Sequence, residues 1–173
     1  MILLLLLSIN AHAEIDCKKH SIYCHIKRVA PWLKQDKVME MSNSFYNMSK
    51  KYKINAHYSI AIARQETTFG KINGRKESII VFNEEMTEWK HYRGYSDICI
   101  FQFHANTIVN KGLDPIKLHT DLSYCIEEHF KLLQKKMKTC RKLGVKKEES
   151  WSCWHSFTPS KRKEYKKLTE RYL

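Results

Sequence analysis

The chain has 173 residues, which is the length of one domain and is enough to bury a hydrophobic core. Apolar residues make up 43% of it and there are only five glycines and three prolines, so the composition excludes a disordered chain and a turn-rich β fold. The formal net charge of +13 favours nucleic acid, an anionic membrane or an acidic polymer such as a cell wall as partner, without choosing among them.

The first residues, MILLLLLSINAHA, form an apolar run that ends in Ala-His-Ala. Two small residues around a variable one are typical of the site at which signal peptides are cleaved. The run is too short to span a bilayer, which takes roughly 20 apolar residues. We predict a signal peptide over 1–13 and export to the periplasm or the extracellular space, although no basic residue begins the segment. A buried N-terminal strand is the alternative.

Six cysteines agree with export, because an even number in a small exported chain is typical of a disulfide framework. They can pair in fifteen ways. Pairs that close short loops are favoured, and the third pair follows by remainder. The favoured pairs are Cys17–Cys24, Cys140–Cys153 and Cys99–Cys125. A metal site is the alternative, since His129 follows Cys125 by one helical turn, but no Cys-x-x-Cys pair occurs and we predict no metal.

Apolar residues spaced by three and four predict helices over most of the chain. An N-terminal segment over 14–36 holds the first disulfide. The expected helices cover 36–52, 56–66, 104–111, Thr120 or Asp121 to about 141, 148–154, and a last segment from Pro159. Asn55 and Thr158 are suitable N-caps, and Gly112 and Pro115 are expected to stop the helix over 104–111.

Residues 70–103 break the helical pattern. The stretches ESIIVFNEEM and YSDICIFQF are rich in β-branched and aromatic residues, which predicts a short hairpin among the helices. No internal repeat, low-complexity segment or linker interrupts the sequence, so we expect a single α-rich domain.

Glu66 ends the apolar stretch IAIARQETTFGK at 60–71. Ile62 precedes it by four residues and therefore points to the same, inward face of the helix. Burial and the negative end of the helix dipole both raise the pKa of a carboxyl group in this position. A carboxyl group that is protonated near neutral pH is what a general acid requires. An exposed glutamate at a frayed helix end is the alternative.

Three blocks of sequence carry a family resemblance. The first is SIAIARQETTFGK at 59–71, an Ala-rich apolar helix that ends in glutamate. The second is CIFQFHANT at 99–107, in which Gln102 and Thr107 match, and the third is CWHSFTP at 153–159. In this order they resemble the motifs of lytic transglycosylases and goose-type lysozymes, and the resemblance covers residues 37–173.

This resemblance implies an α+β lysozyme-like fold, a helical domain with a short β-hairpin beside the active-site cleft. It implies that Glu66 protonates the glycosidic oxygen between N-acetylmuramic acid and N-acetylglucosamine, then acts as base on the muramoyl C6 hydroxyl to leave a 1,6-anhydro end. Hydrolysis is the enzymatic alternative, for which Asp97 is the second catalytic carboxylate. The expected substrate-binding residues are Phe101, Gln102, Trp154, His155 and Ser156.

Two positions depart from the family pattern. Cys99 stands where the family has glycine, and Trp154 stands where it has a tyrosine whose hydroxyl orients the glutamate. These departures favour a rival hypothesis, a catalytically silent peptidoglycan-binding protein. A third hypothesis is a cationic membrane-active protein that uses the basic C-terminal helix.

We therefore predict an exported enzyme that cleaves the glycan strands of peptidoglycan. The glycan strand is its expected partner, and its basic surface would add electrostatic association with an anionic cell envelope. We expect a monomer without a cofactor and without a nucleic-acid partner.

Overall fold

The computed structural model describes residues 16–18, 20–69, 76–83, 88–95 and 97–173, and for 76–83, 88–95 and Asp97 we describe the backbone alone. The chain is mainly helical, as predicted. Its elements are α1 Ser21–Val29, α2 Gln35–Tyr52, α3 Ala56–Thr67, β1 Lys76–Asn83, β2 Glu88–Tyr95, β3 Asp97–Ile98, β4 Phe103–His104, α4 Ala105–Lys111, α5 Pro115–Thr120, α6 Leu122–Lys142, a 3₁₀ helix Lys147–Trp154 and α7 Pro159–Glu170.

The core lies between α1, α2, α3, α6 and the 3₁₀ helix, and the predicted periodicity accounts for much of it. On α2 the first three of the residues that repeat at three and four are buried, with Phe45 fully enclosed, and the last two, Met48 and Tyr52, are half-buried. Phe45 packs edge-on against Phe101 and Phe130 with ring centres 6.2 and 6.3 Å apart. Helix α3 contributes a wholly buried stretch over 59–63 and is therefore the central helix of the domain.

Strands β1 and β2 pair antiparallel in the region where a hairpin is predicted, with Lys76 opposite Tyr95 and Asn83 opposite Glu88. A second, much shorter antiparallel pair joins β3 to β4. The turn between β3 and β4 carries the Gln-containing motif, and this turn hydrogen-bonds to the end of α3.

The predicted helix starts are partly right. The Asn55 side chain accepts a hydrogen bond from the His57 amide at 3.0 Å and caps α3. Gly112 ends α4 with φ +58°, a backbone conformation that glycine adopts easily. Pro115 was expected only to stop a helix, but it lies in the first turn of α5. The Asp114 side chain caps the amides of that turn. Thr158 makes no side-chain cap.

Helix α1 was not predicted, because its short amphipathic pattern follows a polar stretch that gave no clear start signal. Ile26 and Val29 of this helix belong to the same core as the rest of the chain. Residue 37, where the lysozyme-like domain is expected to begin, lies in the first turn of α2. The N-terminal segment and the helical domain therefore share one core.

All three favoured disulfides are confirmed, Cys17–Cys24, Cys99–Cys125 and Cys140–Cys153, with Cα–Cα distances of 5.6, 6.2 and 6.2 Å. Three disulfides are characteristic of chains that fold in an oxidising compartment, which fits export. The expected signal peptide over 1–13 lies outside the described residues. Across the described ranges no helix is long and apolar enough to cross a membrane, and no group of ligand side chains is suited to a metal ion.

A histidine pair holds the end of the chain against α1 and α3. His25 Nε2 lies 2.5 Å from the Tyr172 carbonyl oxygen, and His25 Nδ1 lies 2.6 Å from His57 Nδ1. A carbonyl only accepts, so His25 must carry its proton on Nε2, and His57 must then donate from Nδ1. Arg28 donates to the Leu173 carbonyl at 2.9 Å. We use the name C-terminal clasp for His25, Arg28, His57, Tyr172 and Leu173.

The clasp keeps its histidines neutral. Burial lowers the pKa of His25 from 6.5 to about 4, against the opposing effect of the Tyr172 carbonyl, and nearby His57 and Arg28 lower it further. Burial also lowers the pKa of His57, again with a contribution from Arg28. The folded protein therefore binds fewer protons here than the unfolded chain does in mildly acid solution.

Acid is expected to destabilise the protein through this clasp. The stability that the neutral pair contributes is complete above pH 6.5 and is lost as the pH falls toward the folded pKa of about 4. Urea unfolding at about pH 7.5 and 4.5 measures the loss. The free energy of unfolding should fall on the order of 2 kcal/mol further in the wild type than in His25→Gln.

His129 is fully buried and its pKa is also lowered, so both proteins lose some stability in acid and only their difference reports the clasp. His119→Gln, at an exposed position on α5, is the control for loss of a histidine. An identical pH dependence in His25→Gln and the wild type would contradict the assignment.

Candidate active site

Glu66 lies in the last turn of α3, where the chain leaves the helix through two left-handed residues. Thr68 and Phe69 have φ of 56° and 58°, a conformation that costs non-glycine residues about 1 kcal/mol each. Burial of the Phe69 side chain and a hydrogen bond from its amide to the Ala63 carbonyl at 3.3 Å hold this turn. The sharp exit keeps Glu66 at the edge of the core, half-buried.

The β3–β4 turn is bonded to this helix end at two points. The buried Thr67 hydroxyl donates to the Ile100 carbonyl at 2.8 Å, and Gln102 Nε2 donates to the Glu66 backbone carbonyl at 2.7 Å. Both acceptors in these bonds are main-chain oxygens. Gln102 therefore fixes the backbone of the residue that carries the candidate acid, in addition to any contact with substrate.

The backbone of the β3–β4 turn is left-handed at two residues, one of which is the cysteine at the position where the resembled motif has glycine. Cys99 has φ of +73° and Gln102 has φ of +50°, and the Gln102 amide donates back to the Cys99 carbonyl at 3.1 Å. The left-handed conformation that favours glycine is therefore kept at position 99. The disulfide to Cys125 on α6 holds the strained turn in place.

Tyr165 of α7 is the direct partner of the Glu66 carboxylate. Its hydroxyl donates to Glu66 Oε1 at 2.6 Å, and the tyrosine is only 5% exposed. Burial, and then the negative charge of Glu66, raise the pKa of Tyr165 well above its usual range. The hydroxyl therefore stays protonated and remains a donor at any physiological pH.

Lys136 of α6 is a cation within electrostatic range of Glu66. Its ammonium donates to the Trp154 carbonyl and lies 4.6 Å from the centre of the Trp154 ring. Burial lowers the pKa of Lys136, and the negative charge of Glu66 acts in the opposite direction. The two charges therefore interact, and the ammonium stabilises a negative charge on Glu66.

An open cavity of about 320 Å³ gives access to Glu66 from the α7 side. His155 forms part of its wall, with its ring stacked on Tyr165 at 5.1 Å between centres and 9° between planes. Lys161, Glu164 and Leu168 of α7 line the rest of this wall. An acid–base group in an accessible cavity beside a fixed hydroxyl donor and a cation is suited to proton transfer to an ether oxygen.

The structure corrects two of the predicted substrate-binding residues. Phe101 is 0% exposed and its ring stacks on His129 with centres 3.6 Å apart, so it belongs to the core. Trp154 is 6% exposed and packs edge-on against Phe101 and Phe103, so its indole does not offer a face to a sugar. An apolar side chain beside a polar motif residue is ambiguous in sequence, and here the hydrophobic effect placed both inside.

The three remaining predicted site residues have different places in the structure. His155 lines the cavity with Glu66, whereas the Ser156 hydroxyl accepts from the Thr158 amide at 3.1 Å and so supports the start of α7. Asp97 lies on β3 opposite His104. Its side chain lies outside the described residues, so its role as a second carboxylate stays a prediction.

Sequence reasoning missed Tyr165 and Lys136. Tyr165 is 99 residues from Glu66, and in α7 it reads as one of several apolar positions on a helix face. A signal existed: the resembled motif has a tyrosine where this chain has Trp154, which suggests a search for a hydroxyl elsewhere in the C-terminal region. Lys136 gave no signal, since it is one of 31 lysines and arginines in the sequence.

No protein-family model, curated protein or solved structure matches this chain.

The bond between Tyr165 and Glu66 should be measurable as a coupling energy. In a cycle of Glu66→Ala, Tyr165→Phe and the double variant, urea unfolding is expected to give a coupling energy of about 1–2 kcal/mol. Each single variant already lacks the hydrogen bond to the charged carboxylate, so the double variant loses less stability than the sum of the two. Tyr58→Phe, on the same helix as Glu66 but two turns away, is the matched control and should give no coupling with Glu66→Ala. Additive effects of Glu66→Ala and Tyr165→Phe would rule out the bond.

The left-handed turn at position 99 makes a second prediction. We compare Cys99→Gly with Cys99→Ala, each in a protein that also carries Cys125→Ala. The free energy of unfolding measured in urea should be about 1 kcal/mol higher for the glycine variant, because glycine adopts a positive φ without strain. Both should be less stable than the disulfide-bonded protein by about 3 kcal/mol, from the loop that the disulfide closes. An alanine variant as stable as the glycine variant would show that position 99 is not left-handed.

Proposed function

We propose that this protein cleaves the glycan strands of peptidoglycan, between N-acetylmuramic acid and N-acetylglucosamine, as a lytic transglycosylase. The observation that carries the proposal is the Tyr165–Glu66 hydrogen bond at the edge of an open cavity. It gives a single carboxyl group a fixed orientation, and a transglycosylase needs only one such group. The motif order in the sequence supports the same reaction.

In this reaction Glu66 first acts as a general acid. Its proton passes to the glycosidic oxygen, the bond from that oxygen to the muramoyl C1 breaks, and positive charge develops on C1 and the ring oxygen. Glu66 is left as a carboxylate. Two of its neighbours favour that state: the Tyr165 hydroxyl, which donates to Oε1, and the Lys136 ammonium.

Glu66 then acts as a general base. It takes the proton of the muramoyl C6 hydroxyl, whose oxygen bonds to C1 and forms the 1,6-anhydro ring. The carboxyl group is thereby protonated again for the next cycle, without water. Tyr165 serves both steps because its hydroxyl can accept from a protonated carboxyl group and donate to a carboxylate.

Hydrolysis is the alternative within the same site, with water in place of the C6 hydroxyl and Asp97 as the second carboxylate. The catalytically silent peptidoglycan-binding protein remains the alternative from another class. Its main support was the tyrosine missing at position 154. Tyr165 weakens that support, because it offers a hydroxyl to Glu66 from a different helix.

The test is digestion of purified peptidoglycan with the mature protein, followed by mass spectrometry of the soluble products. We expect 1,6-anhydro-muropeptides. Glu66→Gln should lower their rate of formation at least about 100-fold, because a general acid–base group contributes that much or more. Glu164→Gln is the matched control, since Glu164 is an exposed carboxylate in the same cavity, and it should retain activity.

Products with reducing ends would replace the transglycosylase by a hydrolase and give Asp97 the second role. If no product depends on Glu66, with acetylated or with deacetylated peptidoglycan, the enzyme proposal fails and the peptidoglycan-binding protein stands.

A further inference from the structure

A second cavity, of about 490 Å³, lies between α1, α2 and the start of α3, and shares no lining residue with the cavity at Glu66. The two cavities are at opposite ends of α3. Ten residues separate Ala56 in the second cavity from Glu66 in the first, which is about 15 Å along a helix. The volume is in the range of sites that bind small molecules or one segment of a polymer.

The lining of this cavity is polar and neutral for the most part. Among the described residues, Ile22 and Ala56 are the only aliphatic ones that line it, which disfavours an apolar ligand. No carboxylate from the described part of the chain lines it, which disfavours a metal or an organic cation. Hydroxyl and amide groups dominate, and these both donate and accept hydrogen bonds. The principal polar side chains are Ser42, Asn43, Ser49 and Asn55.

The ring of Tyr46 is exposed at the cavity. Tyr46 is 52% exposed, although most aromatic rings in the described part of the chain are buried. The ammonium of Lys50 lies 5.5 Å from the centre of the ring, so a donor borders its face. A tyrosine ring with hydrogen-bonding groups around it is suited to a ligand that is apolar on its C–H faces and polar at its edges, as a sugar ring is.

His57 adds an acceptor to this cavity. Because the C-terminal clasp fixes its proton on Nδ1, its Nε2 carries a lone pair at neutral pH. Of the described lining residues, Lys50 alone is a permanent cation, which is too little for a polyphosphate or nucleic-acid backbone, whose binding relies on several cations.

We propose that this cavity is a second glycan-binding site, which holds a segment of an N-acetylhexosamine strand on the ring of Tyr46. The identification of that strand with peptidoglycan rests on the proposed function. The site would keep the protein attached to an insoluble strand while the cavity at Glu66 is empty or occupied by another segment.

The test uses the Glu66→Gln protein, which is expected to bind glycan without cleaving it. We measure its retention on purified peptidoglycan sacculi at about 0.3 M salt, where general charge attraction is screened. Tyr46→Ala should weaken retention about tenfold through loss of the stacking contact. Tyr46→Phe keeps the ring and should retain most of the binding. Ile116→Ala removes another exposed apolar side chain, on α5 and outside the cavity, and should change nothing.

A second measurement locates the ligand directly. A soluble N-acetylglucosamine pentamer should shift the amide NMR signals of residues 42–50, and Ser42→Trp, which fills the cavity from a half-exposed position, should abolish these shifts. Retention that is unchanged in Tyr46→Ala, or reduced equally in Ile116→Ala, overturns the proposal. So does a loss in Tyr46→Ala that affects inorganic polyphosphate and not glycan.

The two proposals fail separately. With Glu66 intact, Tyr46→Ala should leave unchanged the rate of cleavage of short soluble glycan-strand fragments that contain at least two disaccharide units. If no cleavage depends on Glu66 but Tyr46→Ala still weakens retention, the proposed reaction is wrong and the glycan-binding site stands. If cleavage depends on Glu66 and Tyr46→Ala binds as tightly as its parent, only the second site is wrong.

Discussion

A half-buried carboxylate at the C-terminal end of a helix is an unfavourable arrangement, because the free carbonyls of the last turn make that end negative. Glu66 occupies this position, and much of the surrounding structure supplies the donors and the positive charge that it needs. The Tyr165 hydroxyl comes from α7, the Gln102 amide from the β3–β4 turn, and the Lys136 ammonium from α6. The packing of each of these elements against α3 is therefore a condition for the site.

Lys136 is costly in its own right, since burial of an ammonium group is unfavourable without compensation. The Trp154 carbonyl and the face of its indole ring provide that compensation, and the negative charge of Glu66 adds to it. Trp154 contacts the cation from within the core, while Tyr165 of another helix donates its hydroxyl to Glu66.

The sequence predicted the features that are local. Asn55 as a helix cap, the apolar face of α2, the end of α4 at Gly112 and the disulfides of short span all follow from residues close together in the chain. Glu66 itself was found because it breaks an apolar pattern. In contrast, the roles of Phe101 and Trp154 depend on which side chains are enclosed once the helices have packed, and no pattern of single residues contains that information.

The partners of Glu66 are still harder to predict from the sequence. A hydrogen bond across 99 residues is decided by the path of the whole chain, and a tyrosine on a helix face is equally suited to packing or to donation. Only the family motif, with its missing tyrosine, pointed toward the C-terminal region. The His25–His57 pair is a similar case, because two histidines separated by 32 residues gave no reason to expect contact.

The supports of Glu66 come from positions 102, 136 and 165, so the site has no local precursor. A nascent or partly folded chain holds the glutamate on a bare helix end, exposed to water and without orientation. The turn that carries Gln102 is also tied by a disulfide, which forms only under oxidising conditions. A chain that remains in a reducing cytosol therefore lacks one of the constraints that order its active centre. Under the proposed function, in which the substrate is a structural polymer of cells, this would couple activity to arrival in the compartment where the polymer is found.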